Sequence, residues 1–543
     1  MSPVPSRDRL DELTVKGVHV ALRTVALAPE QRAARRLRAQ AELLPAPGPD
    51  APKVAFLTPR SWASHVQWEA MIGHALRLRG ADVSYITCGG GLEICDRTNT
   101  WEAPPMPCRT CDGYVDDALA AHGFERHPLR DGWEEDDPAP WPEIDALSLG
   151  ELERLQDDGL DLGRLVEIPA KWFLMVGTYE GDPLAPLTLR RFLRSARRVA
   201  RGLARTLDRL RPDVVVMLNG LFLFEAIAAA LCRARGIEIV SYERALIKET
   251  LIFRRGGAAC ELDLSPWWDE RKRRPLTDAD EQGLDEYLAE RRHGRRTIDR
   301  YWDRVQFDLP PRKTSGRLVS LFTNVTWDSA VIGTEIAFPS MSAWVAGAIE
   351  AFAARPEHEL VIRVHPAEAK LSGRETREPI GRFIETRFPV LPPNVTVIGA
   401  DDPRSSYPLM EASDVGLAFA STAGLELALY DTPVIVAART HYRGRGFTID
   451  VSSPEEFERA LDATLADPAA HAPDRDLARR YGWLFFFGAP IRSPGVEEHV
   501  LGLARLTVSD LQEMAPGADP EIDRICDGIL GLGDFGPKQP HPT

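Results

Sequence analysis

Along this chain, short unbroken apolar runs alternate with stretches in which apolar residues recur every three to four positions. Val54–Leu57, Val83–Thr87, Val214–Leu218 and Ile237–Ser241 are runs of the first kind. A run of that length without polar alternation reads as a strand covered on both faces, as in a parallel sheet. Trp68, Met71, Ile72, Ala75 and Leu76 stand at i, i+3, i+4, i+7 and i+8, which is one helix face, and Gly80 stops that helix. The pattern predicts a βαβ opening. It lapses over residues 88–185, which are rich in Pro, Asp and Trp and read as an insertion. A long basic amphipathic helix is predicted over about 187–210, and a charged helical segment over 278–301.

After the Pro-rich linker Pro310–Gly316 the alternation becomes regular. Strands are predicted at Leu318–Thr323, Leu360–Val364, Val395–Ile398, Val415–Phe419 and Pro433–Val436. Helix faces such as Val345, Ala348, Ile349, Phe352 and Ile380, Phe383, Ile384, Phe388 lie between them. Strands and helices in strict turn predict a parallel sheet with right-handed crossovers and helices on both sides. The fold class is therefore α/β, with two doubly wound Rossmann-like domains facing a cleft. The divisions expected are an extension and linker over 1–50, a first domain over 51–310 carrying the insertion 88–185, a second domain over 316–466, and cross-over helices and a tail over 467–543.

Length and composition narrow the picture. A chain of 543 residues exceeds one ordinary core. Its net charge of −15 argues against a nucleic-acid partner, because phosphate neutralisation needs a basic face. The first residues lack the charged-then-apolar layout of a secretory leader, so a cytoplasmic location is expected. Val214–Cys232 is apolar enough to suggest a membrane span, but Asn219, Gly220 and Glu225 interrupt it, and it reads as strand, turn and helix.

In open α/β sheets, ligands bind beyond the carboxyl ends of the strands. The residues that follow the second domain's strands are Asn324–Asp328, His365–Glu368, Ser405–Tyr407, Ser421–Glu426 and His441–Phe447. In the fourth group an apolar strand ends at Ala420, and Ser421-Thr422 opens a helix with Gly424 in its first turn. Such a start offers N–H groups and hydroxyls to a phosphate, and Glu426 is placed to accept ribose hydroxyls. His365 follows a strand and suits a phosphate oxygen or a leaving group that gains negative charge, with Arg363 and Glu368 to orient it. Arg443 and Arg445 lie in a glycine-containing basic loop. No Asp-x-Asp pair follows a strand near these loops, so a metal at the phosphate is not required.

Two further features stand apart. Cys88, Cys95, Cys108 and Cys111 have the spacing C-x6-C-x12-C-x2-C, and the closing C-x2-C resembles half of a zinc knuckle. A structural zinc in the insertion is the expectation, with free thiols or a redox pair as alternatives. The helix bearing Arg190, Arg191, Arg194, Arg197, Arg198, Arg201 and Arg205 is the one strong basic patch. It reads either as a solvated face or as a contact for an anionic membrane surface or lipid-linked acceptor.

The runs Thr323–Asp328, Ile362–Glu368, Ser405–Tyr407, Ser421–Glu426 and His441–Thr448 together resemble the capsule polysaccharide biosynthesis family. That family includes GT-B glycosyltransferases, some of which transfer Kdo from a CMP-activated donor. The resemblance covers about residues 316–466 and extends weakly to Asn219-Gly220, Tyr242–Arg244 and Tyr481–Pro494. It implies a GT-B fold and a nucleotide-sugar donor of CMP or UDP type. The donor site it implies comprises Asn324, Trp327, Asp328, Arg363, His365, Glu368, Ser405, Ser406, Tyr407, Ser421, Thr422, Gly424, Glu426, Tyr442 and Arg445. Among these, the His-Pro and Ser-Thr pairs look like donor-phosphate motifs.

In inverting GT-B enzymes the base usually comes from the first domain. By that rule Glu243 is the first candidate, then Glu225 and His65, with Asn219 also on the acceptor side. The implied acceptor is a glycan or glycolipid, met at the inner membrane face. Two other readings stay open: a sugar-nucleotide 2-epimerase on the same scaffold, and a non-catalytic assembly subunit. Stoichiometric epimer formed from donor alone marks the first, and glycan output untouched by His365→Ala marks the second.

Overall fold

The computed structural model describes residues 30–537 apart from 104, 134–140, 294–301, 303–304, 330, 372 and 500–502. The first half comprises α1 (30–41), β1 (Lys53–Leu57), α2 (Ala63–Leu78), β2 (Asp82–Thr87), α3 (Cys108–His122), β3 (Arg126–Pro128), α4 (Glu167–Leu174), α5 (Ala185–Leu210), β4 (Val214–Leu218), α6 (Leu223–Arg235), β5 (Glu238–Arg244) and β6 (Thr250–Arg255). Helix α7 (Asp278–Arg292) leads into the second half. There follow β7 (Leu318–Phe322), α8 (Met341–Ala353), β8 (Glu359–Arg363), β9 (Val395–Ile398), α9 (Tyr407–Ala412), β10 (Val415–Ala418), α10 (Ala423–Leu429), β11 (Val434–Val436), β12 (Ile449–Asp450), α11 (Arg475–Trp483) and β13 (Ile491–Arg492).

The strands form two doubly wound sheets. The first has the order β13-β6-β5-β4-β1-β2-β3, and the second β12-β11-β10-β7-β8-β9. All pairs in the second sheet are parallel. In the first, β6 and β13 are antiparallel edge additions. Strand alternation sorts each apolar run to both faces. Val54 and Phe56 of β1 enter one core cluster, and Ala55 and Leu57 enter the other. Val319 and Leu321 of β7 face one cluster, while Leu318 and Phe322 face its opposite. This is why the central strands read as unbroken apolar runs.

Both sheets reverse their winding beside the first strand, between β1 and β4 and between β7 and β10. A ligand crevice forms outside the strand ends at such a reversal. The chain then returns to its starting half: β13 pairs with β6, and the tail residues Leu503, Ile522 and Phe535 join the first core. Helix α1 joins it too, through Ala34, Leu37 and Ala41. No described helix is long and apolar enough to cross a membrane.

The insertion does not lie loose. It covers α5 and occupies that helix's basic face. Arg190 donates to the carbonyls of Ile144 and Leu147, Arg194 pairs with Asp145, and Arg197 pairs with Asp157 and lies over Trp141. Arg198 donates to the Gly91 carbonyl and lies over Trp133. Four of the seven arginines of the basic patch are thus engaged inside the chain. The insertion also clasps the second domain. Arg377 makes a two-pronged pair with Asp182 at 2.8 and 3.1 Å, and Trp101 Nε1 donates to the Glu375 carbonyl.

Candidate functional site

The strand ends of both sheets open on one cleft of about 1920 Å³. Its first wall is built at the β1/β4 reversal. Trp62 and His65 follow β1, Asn219–Phe222 follow β4, and Glu243 and Arg244 close β5. Arg60 anchors this wall. Its guanidinium is buried, which opposes its charge, but Asp96 and Glu225 on either side hold it charged. Asp96 also accepts the N–H of Leu223 at the start of α6. The loop that leads into α2, and so to His65 in its first turn, is thereby tied to the helix after β4.

Glu243 lies in the cleft wall, with both carboxylate oxygens held. Asn219 Nδ2 donates to one at 2.6 Å and the Arg244 N–H to the other at 2.8 Å. Burial raises its pKa, against the pull of those two donors. Asn219 sits at φ 59°, a left-handed position that Asn tolerates, and this turn aims its amide at Glu243. His65 lines the same wall, but burial and then Arg244 and Arg60 push its pKa down to about 3. Glu225 is fully buried behind Arg60 and does not reach the cleft. Of the three candidate bases, the structure places Glu243 and His65 in the cleft and removes Glu225.

The second wall is built at the β7/β10 reversal. Asn324, Trp327, Asp328, Arg363, His365, Ser406, Tyr407, Ser421, Thr422, Glu426 and Arg445 all line it. The backbone N–H of His365 is held by Thr323 Oγ at 3.0 Å, and its Nδ1 accepts the Ala367 N–H at 3.2 Å. Burial, then Arg363, lowers its pKa to about 4. The ring is therefore neutral near pH 7, with its proton on Nε2. Arg363 is tied to the carbonyls of Gly399, Asp402 and Arg404. Ser421 Oγ accepts the Ala423 N–H at the start of α10, at 3.2 Å.

Several expected contacts are placed otherwise. Glu426 is not open to a ribose: one oxygen pairs with Arg291 at 2.9 Å, and the other accepts the Tyr407 hydroxyl at 2.8 Å. It holds Arg291 of α7 against the cleft. Sequence reasoning missed Arg291, because α7 precedes the linker by some twenty residues and no strand-end rule points to it. Glu368 turns away and accepts the Ile380 N–H. Ser405 lies behind the wall, where its Oγ accepts the Tyr407 N–H. Tyr442 is buried, and its hydroxyl donates to the Ser421 carbonyl at 2.6 Å.

Gly424 serves this packing and not the ligand, since a Cβ there would stand 2.2 Å from the Tyr442 hydroxyl. Gly424→Ala is expected to destabilise by about 1–3 kcal/mol through overpacking. Tyr442→Phe in the same background should recover part of that loss, as read by denaturant unfolding.

His441, the neighbour of Tyr442, lines the cleft in its place. It stacks on Phe485 at 4.2 Å, and its Nδ1 meets the Tyr481 hydroxyl at 3.1 Å. His441 Nε2 and Trp327 Nε1 are buried polar atoms of the lining without a protein hydrogen-bond partner. Buried polar groups normally have partners, protein or water, and both of these face the cleft.

Cys88, Cys95, Cys108 and Cys111 gather around one small cavity beside the loop between β1 and α2. Their thiols are free. Cys111 accepts the Ser61 N–H at 3.3 Å, and the Gly90 and Arg97 N–H groups bond to Cys88 and Cys95. Burial pushes Cys88 up to about 12. Among the described residues no three or more His, Cys, Asp or Glu side chains stand together as a metal-holding group. The four thiols line the same cavity, but a zinc set of the expected kind is not identified among the described residues.

No curated protein matches the chain. Among solved structures, a β-Kdo 2,4 transferase, KpsC of Thermosulfurimonas dismutans, is 15% identical with a TM-score of 0.34, over 56% of this chain and 87% of that one. The UDP-GlcNAc 2-epimerase of Neisseria meningitidis is 11% identical with a TM-score of 0.24, over 79% and 96%. The glycosyltransferase SnogD of Streptomyces nogalater is 14% identical with a TM-score of 0.24, over 89% and 100%. Likeness at this level decides neither ligand nor reaction. Residues 280–476 match the family model for capsule polysaccharide biosynthesis proteins. The chain thus combines two doubly wound sheets with a segment, 280–476, that is similar to the capsule polysaccharide biosynthesis proteins.

Proposed function

We propose that the protein transfers a sugar from a nucleotide-activated donor to a hydroxyl of a glycan or glycolipid in capsule or surface polysaccharide synthesis. One observation carries this reading: the winding reversals of both sheets open on a single cleft, with Glu243 on one wall and His365, Ser421 and Thr422 on the other. At about 1920 Å³ it exceeds the roughly 300–1,000 Å³ of a pocket for one small ligand, which leaves room for two.

In this reading the donor's phosphate lies against the hydroxyls of Ser421 and Thr422 and the Nε2–H of His365. Arg445 and Arg291 add positive charge to that wall. Glu243 takes the proton from the acceptor hydroxyl. The freed oxygen attacks the anomeric carbon, and the bond from that carbon to the phosphate oxygen breaks. The electron pair goes to the nucleotide, where the neutral imidazole stabilises it by hydrogen bonding. A single displacement inverts the anomeric centre, and arginine and histidine donors at the phosphate make a metal there unnecessary to the scheme.

A thermal-shift panel of CMP, UDP, GDP and dTDP tests the reading. A nucleotide at a hundredfold its Kd stabilises the native state by about 2.7 kcal/mol. A raised midpoint with one nucleotide class is expected, and a flat response to all four overturns the proposal.

A further inference from the structure

The first wall continues beyond Glu243 into a row of aromatic rings that no step above uses. Trp62 meets Phe222 at 5.7 Å, Phe222 meets Trp172 at 5.3 Å, and Trp172 meets Trp327 at 5.0 Å, all edge to face. The row runs from the first domain, through helix α4 of the insertion, to the second domain. All four rings line the cleft. Phe222 and Trp327 are buried, whereas Trp62 and Trp172 keep half-exposed surface toward it. An indole open to a polar cleft is a platform for the C–H face of a sugar ring, as apolar lining with few polar groups is for ligands in general.

Beside the indoles stand two guanidinium groups. Arg374 lies 5.5 Å from the centre of the Trp172 ring, and Arg97 donates to Ser61 Oγ at 3.2 Å. Both line the cleft; burial works against the charged form of Arg374, Glu102 favours it, and Arg97 opposes it. Two half-buried cations side by side are stabilised when an anion lies between them. The cleft as a whole shares this bias. Ten arginines and seven carboxylates line it, in a chain whose net charge is −15.

We infer that the insertion helix bearing Trp172, with Arg97 and Arg374, forms a subsite for an anionic sugar of the acceptor. This inference rests on the transferase reading and names the chemical class of its second substrate. The anion is a sugar carboxylate or a sugar phosphate, since both suit paired guanidinium groups.

The test titrates the full chain, saturated with the nucleotide that shifts its melting, against three probes. They are tetragalacturonate, maltotetraose monophosphate and neutral maltotetraose. At least one acidic probe is expected to bind tenfold or more tightly than maltotetraose, and which one does so separates carboxylate from phosphate. Arg374→Gln and Trp172→Ala are each expected to weaken that probe at least tenfold, with Trp172→Phe retaining most of the binding. If Trp172→Ala fails to fold, Arg374→Gln carries the test. Equal binding of acidic and neutral probes overturns the anionic assignment. No binding by any probe overturns the subsite, and unchanged binding in both variants overturns its placement. The nucleotide shift of the unaltered protein fails or succeeds independently, so loss of the underlying reading is recognised separately.

Discussion

His365→Ala is expected to lower turnover by about 10²–10³-fold, equal to roughly 2.7–4 kcal/mol of transition-state stabilisation. The loop after β8 leaves this ring little freedom. Thr323 holds its backbone, Ala367 N–H occupies Nδ1, and the proton therefore sits on Nε2. Burial keeps the ring neutral above a pKa of about 4. It can stabilise charge on a departing phosphate as a donor without being an acid. The loss in the variant should consequently be the same across pH 5 to 9, measured as nucleotide release in single turnover. A loss that fades near pH 6.5 would mean that the imidazolium is the working form, contrary to the geometry. His365→Asn, which restores an N–H on a shorter arm, should recover part of the rate.

Glu243→Gln is expected to lower the chemical step by about 10²–10⁴-fold, the usual worth of a positioned base. The variant keeps the size of the side chain, so the nucleotide thermal shift serves as a check of the fold. The pH profile gives the sharper result. A base works when deprotonated, so the rate rises with pH through its pKa. Burial raises that value above the ordinary 4.5, so the acid limb should lie above it. The Asn219 amide favours the carboxylate and opposes the rise. Asn219→Ala removes that donor and should move the limb further up, a change that mere loosening of the turn would not produce. If His65 were the base, Glu243→Gln would leave the limb in place. The structure argues against His65, because accepting a proton would set an imidazolium beside Arg244 and Arg60.

Much of the second domain was legible because its signals are local. Its five longer strands are short apolar runs with helix faces between them, and the loops that follow such strands must share one edge of the sheet. His365, Ser421, Thr422, Asn324 and Arg445 were found by that rule alone, and all five line the cleft. The first domain was harder. Strand β3 is short, β6 is an antiparallel addition that follows β5 and ends in two arginines, and β13 comes from more than two hundred residues downstream, so the βαβ pattern does not announce them.

The misplaced site residues failed for one reason. A carboxylate or hydroxyl after a strand has the right chemistry, but the direction in which it points depends on what packs beside it. Glu426 is claimed by Arg291 and Tyr407, Glu225 by Arg60, and Glu368 by the Ile380 N–H. Tyr442 supports the Ser421 turn, and His441 takes the cleft position instead.

The sequence by itself determined two doubly wound sheets, the edge on which their loops gather and the residue types that suit a phosphate. Those follow from side-chain periodicity and strand polarity, which are properties of neighbouring residues. Only the tertiary structure decided the partners. It turned the basic face of α5 into the seat of the insertion, gathered four thiols around one small cavity, and brought Arg291, Trp172 and Arg374 into the cleft. Each of these is a contact between residues far apart in the chain. Its outcome rests on burial and pairing, which no local pattern encodes.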